Sequence, residues 1–284
     1  MQKIEEKIAE LVRRTSSRLP EDILKALKTA ARREAKGSSA RMILETLVRN
    51  AALAGRNGTP MCQDTGTLTF FVDERLRGLV TPAAVKKAVA FATEKGWLRR
   101  NTIDAVTGRS IDDNTCDGAP VIHYLVAKSR RAAPCVTLLM KGGGSENMSR
   151  QYSLPDAALG AGRDLEGVRR CVLDAVQKAQ GYGCAPGLLG VCVGGDRACG
   201  FEEAKCQLLR RLDDANGDPA LARLEKRLTK EANALGIGPM GLGGRTTVLG
   251  VKIGHRPRVP ASFFVTVAYL CWAARRQTMR IVEG

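Results

Sequence analysis

The sequence predicts a mixed α+β protein, with a helical N-terminal region followed by β-sheet lobes that carry packed helices. Three observations carry that expectation. Apolar residues recur at helical spacing from Ile4 to Ala51, short apolar runs of strand length begin at Leu68, and amphipathic segments alternate with glycine-rich loops in the second half. At 284 residues the chain can bury a sizeable core.

The first helix covers residues 4–14, with Ile4, Ile8, Leu11 and Val12 on one face. Pro20-Glu21-Asp22 opens a second, because proline suits a first helical turn and acids there meet the positive end of the dipole. Ser38-Ser39 caps a third, whose buried stripe is Met42, Leu44, Leu47, Val48 and Ala51. Residues 68–72 read as a strand and residues 82–95 as a helix stopped at Gly96. Residues 98–116 are polar and irregular, and a loop of that length between strand-like runs is a candidate functional segment. The runs 121–126 and 135–140 give the middle of the chain a sheet. Helices follow over 164–178, 198–212 and 219–235, strands over 188–193, 246–253 and 262–269, and a basic tail comes after Cys271. The expected organisation is one domain over residues 1–284, with a helical segment (1–57) and a sheet-and-helix region (58–284) as candidate lobes. No internal repeat or linker interrupts it.

Hydrophobic residues make up 44% of the chain and charged residues 26%, as in ordinary soluble proteins. No apolar run reaches the roughly 20 residues of a transmembrane helix, and the N-terminal residues lack an apolar signal core, so a cytoplasmic location is expected and no membrane partner. The net charge of +16 raises a nucleic-acid reading, but aromatics are only 4%, too few for a stacking platform. The basic residues are also spread thinly, as in Arg99-Arg100, Arg130-Arg131, Arg169-Arg170, Arg210-Arg211 and Arg275-Arg276. The excess is better assigned to steering a dianionic substrate, meeting an acidic partner or solvating the surface. Nine unpaired cysteines without a secretion signal read as reduced thiols. Cys116, Cys135, Cys171, Cys192, Cys199 and Cys206 are expected to be small buried apolar residues.

Three loops present the remaining thiols. Pro60-Met61-Cys62-Gln63-Asp64-Thr65-Gly66 sets a thiol beside an amide and a carboxylate at the mouth of a strand. Gly181-Tyr182-Gly183-Cys184-Ala185-Pro186-Gly187 is a tight loop around a second, and Tyr269-Leu270-Cys271-Trp272 places a third at the end of an apolar run. Their wide separation argues against a zinc ribbon and for a site assembled by the fold. Lys141-Gly142-Gly143-Gly144-Ser145 offers either a backbone nest for an anion or a flexible hairpin turn. The run from Gly236 to Gly244 is too glycine-rich for a helix or ordinary strand and lets backbone approach something closely.

With Leu98-Arg99, Asp113-Asn114-Thr115 and Ser145-Glu146-Asn147, these stretches make the chain resemble the alpha subunit, or N-terminal half, of class I fumarate hydratases and L-tartrate dehydratases. Those are iron–sulfur hydro-lyases, and the resemblance runs nearly end to end. It implies a 4Fe-4S cluster on Cys62, Cys184 and Cys271, with one iron left open as a Lewis acid for a 2-hydroxy acid. It also implies that Gln63 and Asp64 are catalytic and contact substrate, together with Arg99, Gly143 and Gly144. An arginine suits a carboxylate because its planar fork makes two hydrogen bonds. Read without the resemblance, Asp64 is a turn cap and Arg99 a surface residue.

The implied reaction is reversible hydration of a small dicarboxylate, either fumarate to malate or the dehydration of tartrate to oxaloacetate. The resemblance further implies a separate beta subunit carrying a C-terminal swivelling domain, and a homodimer of alpha chains or an alpha2beta2 assembly. One position departs from the family pattern. Val259 in Arg258-Val259-Pro260-Ala261-Ser262 stands where a histidine is common, and His255 is the nearest replacement. Otherwise the substrate differs or activity is weakened, and a non-catalytic iron–sulfur homologue is the alternative. His123 lies in an apolar strand and is expected in the core.

Overall fold

The computed structural model describes residues 3–126 and 132–281, so Arg130-Arg131 lies outside the described residues. Its first elements are α1 (Lys3–Ser17), α2 (Glu21–Arg33), α3 (Ser39–Asn57), β1 (Thr67–Asp73), α4 (Pro82–Glu94), β2 (Thr102–Ile103), β3 (Ser110–Ile111), β4 (Val121–Leu125) and β5 (Cys135–Lys141). They are followed by α5 (Gly143–Asn147), β6 (Arg150–Ser153), α6 (Leu165–Ala179), β7 (Gly187–Gly194), α7 (Arg197–Gln207), α8 (Pro219–Ala234), β8 (Val248–Arg256), β9 (Phe264–Leu270) and β10 (Arg275–Arg280). The fold is mixed α+β, as expected. Two compact units form, neither of them continuous in sequence, and the chain passes from one to the other within α3, between Val48 and Arg49. The helical N-terminal residues are therefore shared between the units.

The first unit takes Met1–Pro20, Arg49–Gly143 and Ala273–Gly284. Its sheet has the order β10-β5-β1-β4, with β1 and β4 parallel and the other neighbours antiparallel. The helical stripe read from the sequence packs as its spacing requires: Ile8, Leu11 and Val12 of α1, with Val85, Ala88 and Val89 of α4, cover Phe70, Val72, Leu138 and Met140. Thr81 caps α4, its Oγ1 accepting the Ala84 N–H.

The second unit takes Glu21–Val48 and Gly144–Trp272. Its sheet has the order β6-β9-β7-β8, with β7 and β8 parallel. Val168, Val172 and Val176 of α6 and Leu224 and Leu228 of α8 pack on Leu189, Val191, Val251, Ile253 and Val267. Alternate residues of β7 face α7, and there Gly190 is required, because a Cβ would run into the Ala204 carbonyl oxygen. Gly190→Ala is expected to destabilise this unit by about 2–3 kcal/mol, read from the denaturant midpoint. An unchanged midpoint would mean that α7 does not lie on the sheet.

Several expectations are corrected. Met42 is 64% exposed, because it sits on the outer side of the α3 stripe. The segment 198–212 is helical only to Gln207 and continues as turns. The basic tail is strand β10, with Arg275 and Arg276 buried beside β5, so this pair does not solvate the surface. Other arginines are neutralised locally, Arg169 by Glu166 and Glu231 and Arg210 by Asp214 and Glu225. Of the six cysteines expected in the core, only Cys171 and Cys192 are buried. Cys116 lies in a loop, Cys135 opens an edge of β5, Cys199 takes part in the α7 capping box through its thiol, and Cys206 ends that helix half-exposed. His123 is half-buried, stacked on Phe71 with ring centroids 5.3 Å apart.

Candidate active site

Cys62 and Asp64 sit between α3 and β1 on a segment tied down by backbone-directed bonds. Asn50 Nδ2 donates to the Met61 carbonyl at 2.9 Å, and the Met61 N–H donates to Ser16 O at 3.1 Å. The Asp64 N–H points at Cys62 Sγ, 3.4 Å away, the kind of contact that steadies a ligating sulfur. Gly66 adopts φ +72° and lies so close to the Lys141 carbonyl that no side chain would fit, which brings the start of β1 against the end of β5. Asp64 Oδ2 accepts the Gly143 N–H at 2.7 Å, and a Cβ on Gly142 would stand 2.7 Å from the same oxygen. The glycine run is thus no hairpin turn. It leads into α5, with Gly143 and Gly144 in the first turn, and the carboxylate that Gly143 receives is the chain's own Asp64.

Asp64 and Gly143 line a cavity of about 240 Å³ together with Thr67, Asn101, Thr102 and Asn114. That is below the roughly 300–1,000 Å³ of drug-sized sites and suits a small ligand. Gln63 is exposed, and its side chain meets no partner among the described residues. Arg99 is exposed too, but its backbone is clamped: Thr65 Oγ1 accepts its N–H at 2.9 Å and donates to its carbonyl at 2.8 Å.

Asn114 completes the clamp and carried no assigned role in the sequence. It is 1% exposed and adopts φ +60°. Its Oδ1 accepts the N–H groups of Asn101 and Thr102 at 2.9 and 3.0 Å, while Nδ2 donates to the Arg99 carbonyl at 2.9 Å and to Thr93 Oγ1 at 3.0 Å. The available signal was an asparagine inside a polar loop, since short polar side chains tolerate left-handed backbone and bond to nearby chain. Asn114→Ala is expected to lower stability by about 3 kcal/mol, because buried donors and acceptors lose their partners. It should also raise KM more than it lowers kcat, since it loosens the segment that carries Arg99. An unchanged KM in the folded variant would remove Asn114 from the site.

The backbones that carry the other two cysteines adjoin within the second unit. Cys184 is exposed at φ +55°, and its carbonyl accepts the N–H of Trp272 at 3.1 Å, so the backbones at Cys184 and Cys271 are held side by side. Gly183 and Gly187 flank this loop because the Tyr269 ring occupies the space their side chains would need. The stretch from Gly236 to Gly244 makes its close approach here, with Gly181 against Met240 and Gly241, and the Met240 N–H donating to Ala185 O at 3.0 Å. Leu188 pairs with Leu270 at this end of the sheet, whereas Val193 pairs with Val265 and His255 at the other. The length of β9 separates the two ends by about 20 Å. Within this unit, therefore, neither His255 nor Val259 stands beside Cys184 or Cys271.

Cys62 belongs to the first unit, and Cys184 and Cys271 to the second. Among the described residues no group of three His, Cys, Asp or Glu side chains is gathered so that it could hold a metal ion. The donors nevertheless fit an iron–sulfur group. All nine cysteines are thiols without disulfides, and thiolates are the ligands such clusters take. Under the loop that carries Cys184 lies the buried Tyr269 hydroxyl, which has no hydrogen-bond partner among the described residues. Burial above all, then the charges of Cys271 and Cys184, hold its pKa above the usual phenol value, so it remains a donor. A donor waiting beside two soft ligands suits a group that brings electron-rich sulfur.

The sequence profile of the family described as fumarate hydratase (fumerase) matches residues 5–280. A putative class I fumarate hydratase of Geobacillus stearothermophilus is 45% identical over 286 residues, covering 99% of this chain and 55% of that protein. The chain thus spans about half the length of that relative. A putative L(+)-tartrate dehydratase subunit alpha of Methanocaldococcus jannaschii is 32% identical, with 98% of each chain covered. The L(+)-tartrate dehydratase subunit alpha of Escherichia coli K12 is 30% identical over 98% of this chain and 91% of its own. No described helix is long and apolar enough to cross a membrane.

Proposed function

Because the chain belongs to the fumarate hydratase family, we propose that it is the alpha-type catalytic domain of an iron–sulfur hydro-lyase acting reversibly on a small dicarboxylate. The observation that supports this reading is the backbone bond from the Trp272 N–H to the Cys184 carbonyl, which joins two cysteine-bearing segments far apart in sequence.

Cys62, Cys184 and Cys271 would hold the cluster. When bound, it supplies a Lewis acid that helps a substrate hydroxyl leave as hydroxide. The chain's own residues do the rest. Asp64, fixed through Oδ2 by Gly143, keeps its other oxygen for a substrate proton. Gln63 offers an amide to a substrate oxygen, and Gly143 and Gly144 bring backbone against the bound acid. Arg99, on its clamped backbone, pairs a substrate carboxylate. The surplus of basic residues favours the approach of a dianion.

Fumarate and malate are the substrates placed first, with tartrate second. A separate beta subunit carrying further substrate contacts is part of the reading, supported by relatives named as alpha subunits that match this chain over nearly their whole length. The test is anaerobic co-purification with the beta chain followed by assays of malate, fumarate and tartrate. Turnover of one of them by the assembly, with little by this chain alone, is expected. An iron-loaded assembly inert towards all three would refute the hydro-lyase reading in favour of a non-catalytic homologue.

A further inference from the structure

Tyr269 is 1% exposed, and its hydroxyl meets no hydrogen-bond partner among the described residues. A buried donor left unsatisfied costs free energy, and a native site that keeps one generally has a partner still to arrive. A phenylalanine would fill the same apolar space, so the oxygen is what requires an explanation.

Its surroundings name the partner. The residue stands on β9, two positions before Cys271, paired with Leu189 of β7 and with its N–H donated to Ser149 Oγ at 3.2 Å. Its ring is seated under the Cys184 loop, where a Cβ on Gly187 would come within 2.6 Å of the phenol oxygen. The loop is closed over it by the Trp272 N–H to Cys184 carbonyl bond. Gly183, which abuts the ring, directly precedes Cys184, and Tyr269 itself stands two residues before Cys271. No other polar group of the described chain claims it.

We propose that Tyr269 is a positioning residue whose hydroxyl donates a hydrogen bond to sulfur of the group held by Cys184 and Cys271, either a ligating thiolate or an inorganic sulfide of the cluster. This rests on the iron–sulfur reading above. A hydrogen bond to cluster sulfur stabilises the more negative, reduced state, so it raises the reduction potential.

The test uses the full chain, wild type and Tyr269→Phe, reconstituted anaerobically with ferrous iron and sulfide. Iron and sulfide are counted, the reduction potential is read by electron paramagnetic resonance, and melting is followed without metal. The metal-free variant should melt no lower than wild type, because the ring is kept and an unsatisfied hydroxyl is removed. The loaded variant should show a more negative potential and several-fold faster bleaching in air. Equal potentials and equal bleaching at full cluster content would overturn the proposal and leave the cluster reading standing. A wild-type chain that takes up no cluster would overturn both.

Discussion

Asp64→Asn in the assembled enzyme is expected to lower kcat by about 10²–10⁴-fold while the protein folds as before. The asparagine keeps the shape of the side chain and can still accept the Gly143 N–H through its carbonyl oxygen, so the contact that places the residue survives. What it loses is the capacity to take a proton. The stability change should stay within about 1 kcal/mol, because one charge-assisted bond becomes a neutral one. KM should move much less than kcat, since an amide of the same size still fills the cavity wall. A kcat close to that of wild type would mean that Asp64 is a turn cap and that another group, on this chain or its partner, moves the proton.

Cys184→Ser is expected to abolish cluster incorporation and reduce turnover to background. The side chain is exposed on a loop held by backbone bonds to Gly181 and Trp272, none of which uses the sulfur, so the metal-free fold should be unaffected. Serine is a hard, poorly ionised ligand and does not substitute for thiolate on iron. Cys271→Ser should behave alike, and the double variant should be no worse than either single one, because ligands of one centre fail together. Separate, additive losses would mean that the two thiols serve different sites, despite their adjoining backbones.

Much of the fold was legible because burial and spacing coincide in it. Ile8, Leu11 and Val12 form a helical stripe in the sequence and a packed one in the structure, and Leu68 to Val72 is apolar save for Thr69 because β1 is an inner strand. The tail from Arg275 was illegible for the opposite reason. Two adjacent arginines read as solvent-facing, and only pairing with β5, far away in sequence, makes them a buried strand. Cysteine burial was overestimated because hydrophobicity says nothing of position: Cys135 and Cys199 sit at element ends, where backbone and cap needs decide.

In the candidate site, the loops with Cys62 and Cys184 announced themselves through Gly and Pro beside reactive side chains. Asn114 and Tyr269 did not. A positive-φ asparagine that bonds four other residues, and a tyrosine whose hydroxyl goes unanswered, are properties of three-dimensional placement that no spacing rule encodes. The glycine run at 142–144 read from the sequence either as an anion nest or as a hairpin turn, and in the structure the Gly143 N–H meets Asp64 of the same chain.

The proposed function rests on Cys62 being a cluster ligand together with Cys184 and Cys271. The most direct measurement is the iron and sulfide content of anaerobically reconstituted Cys62→Ser beside wild type. The account predicts about four irons per wild-type chain and no stable four-iron cluster in the variant. A Cys62→Ser chain that retains the full complement, with an unchanged spectrum, would contradict it.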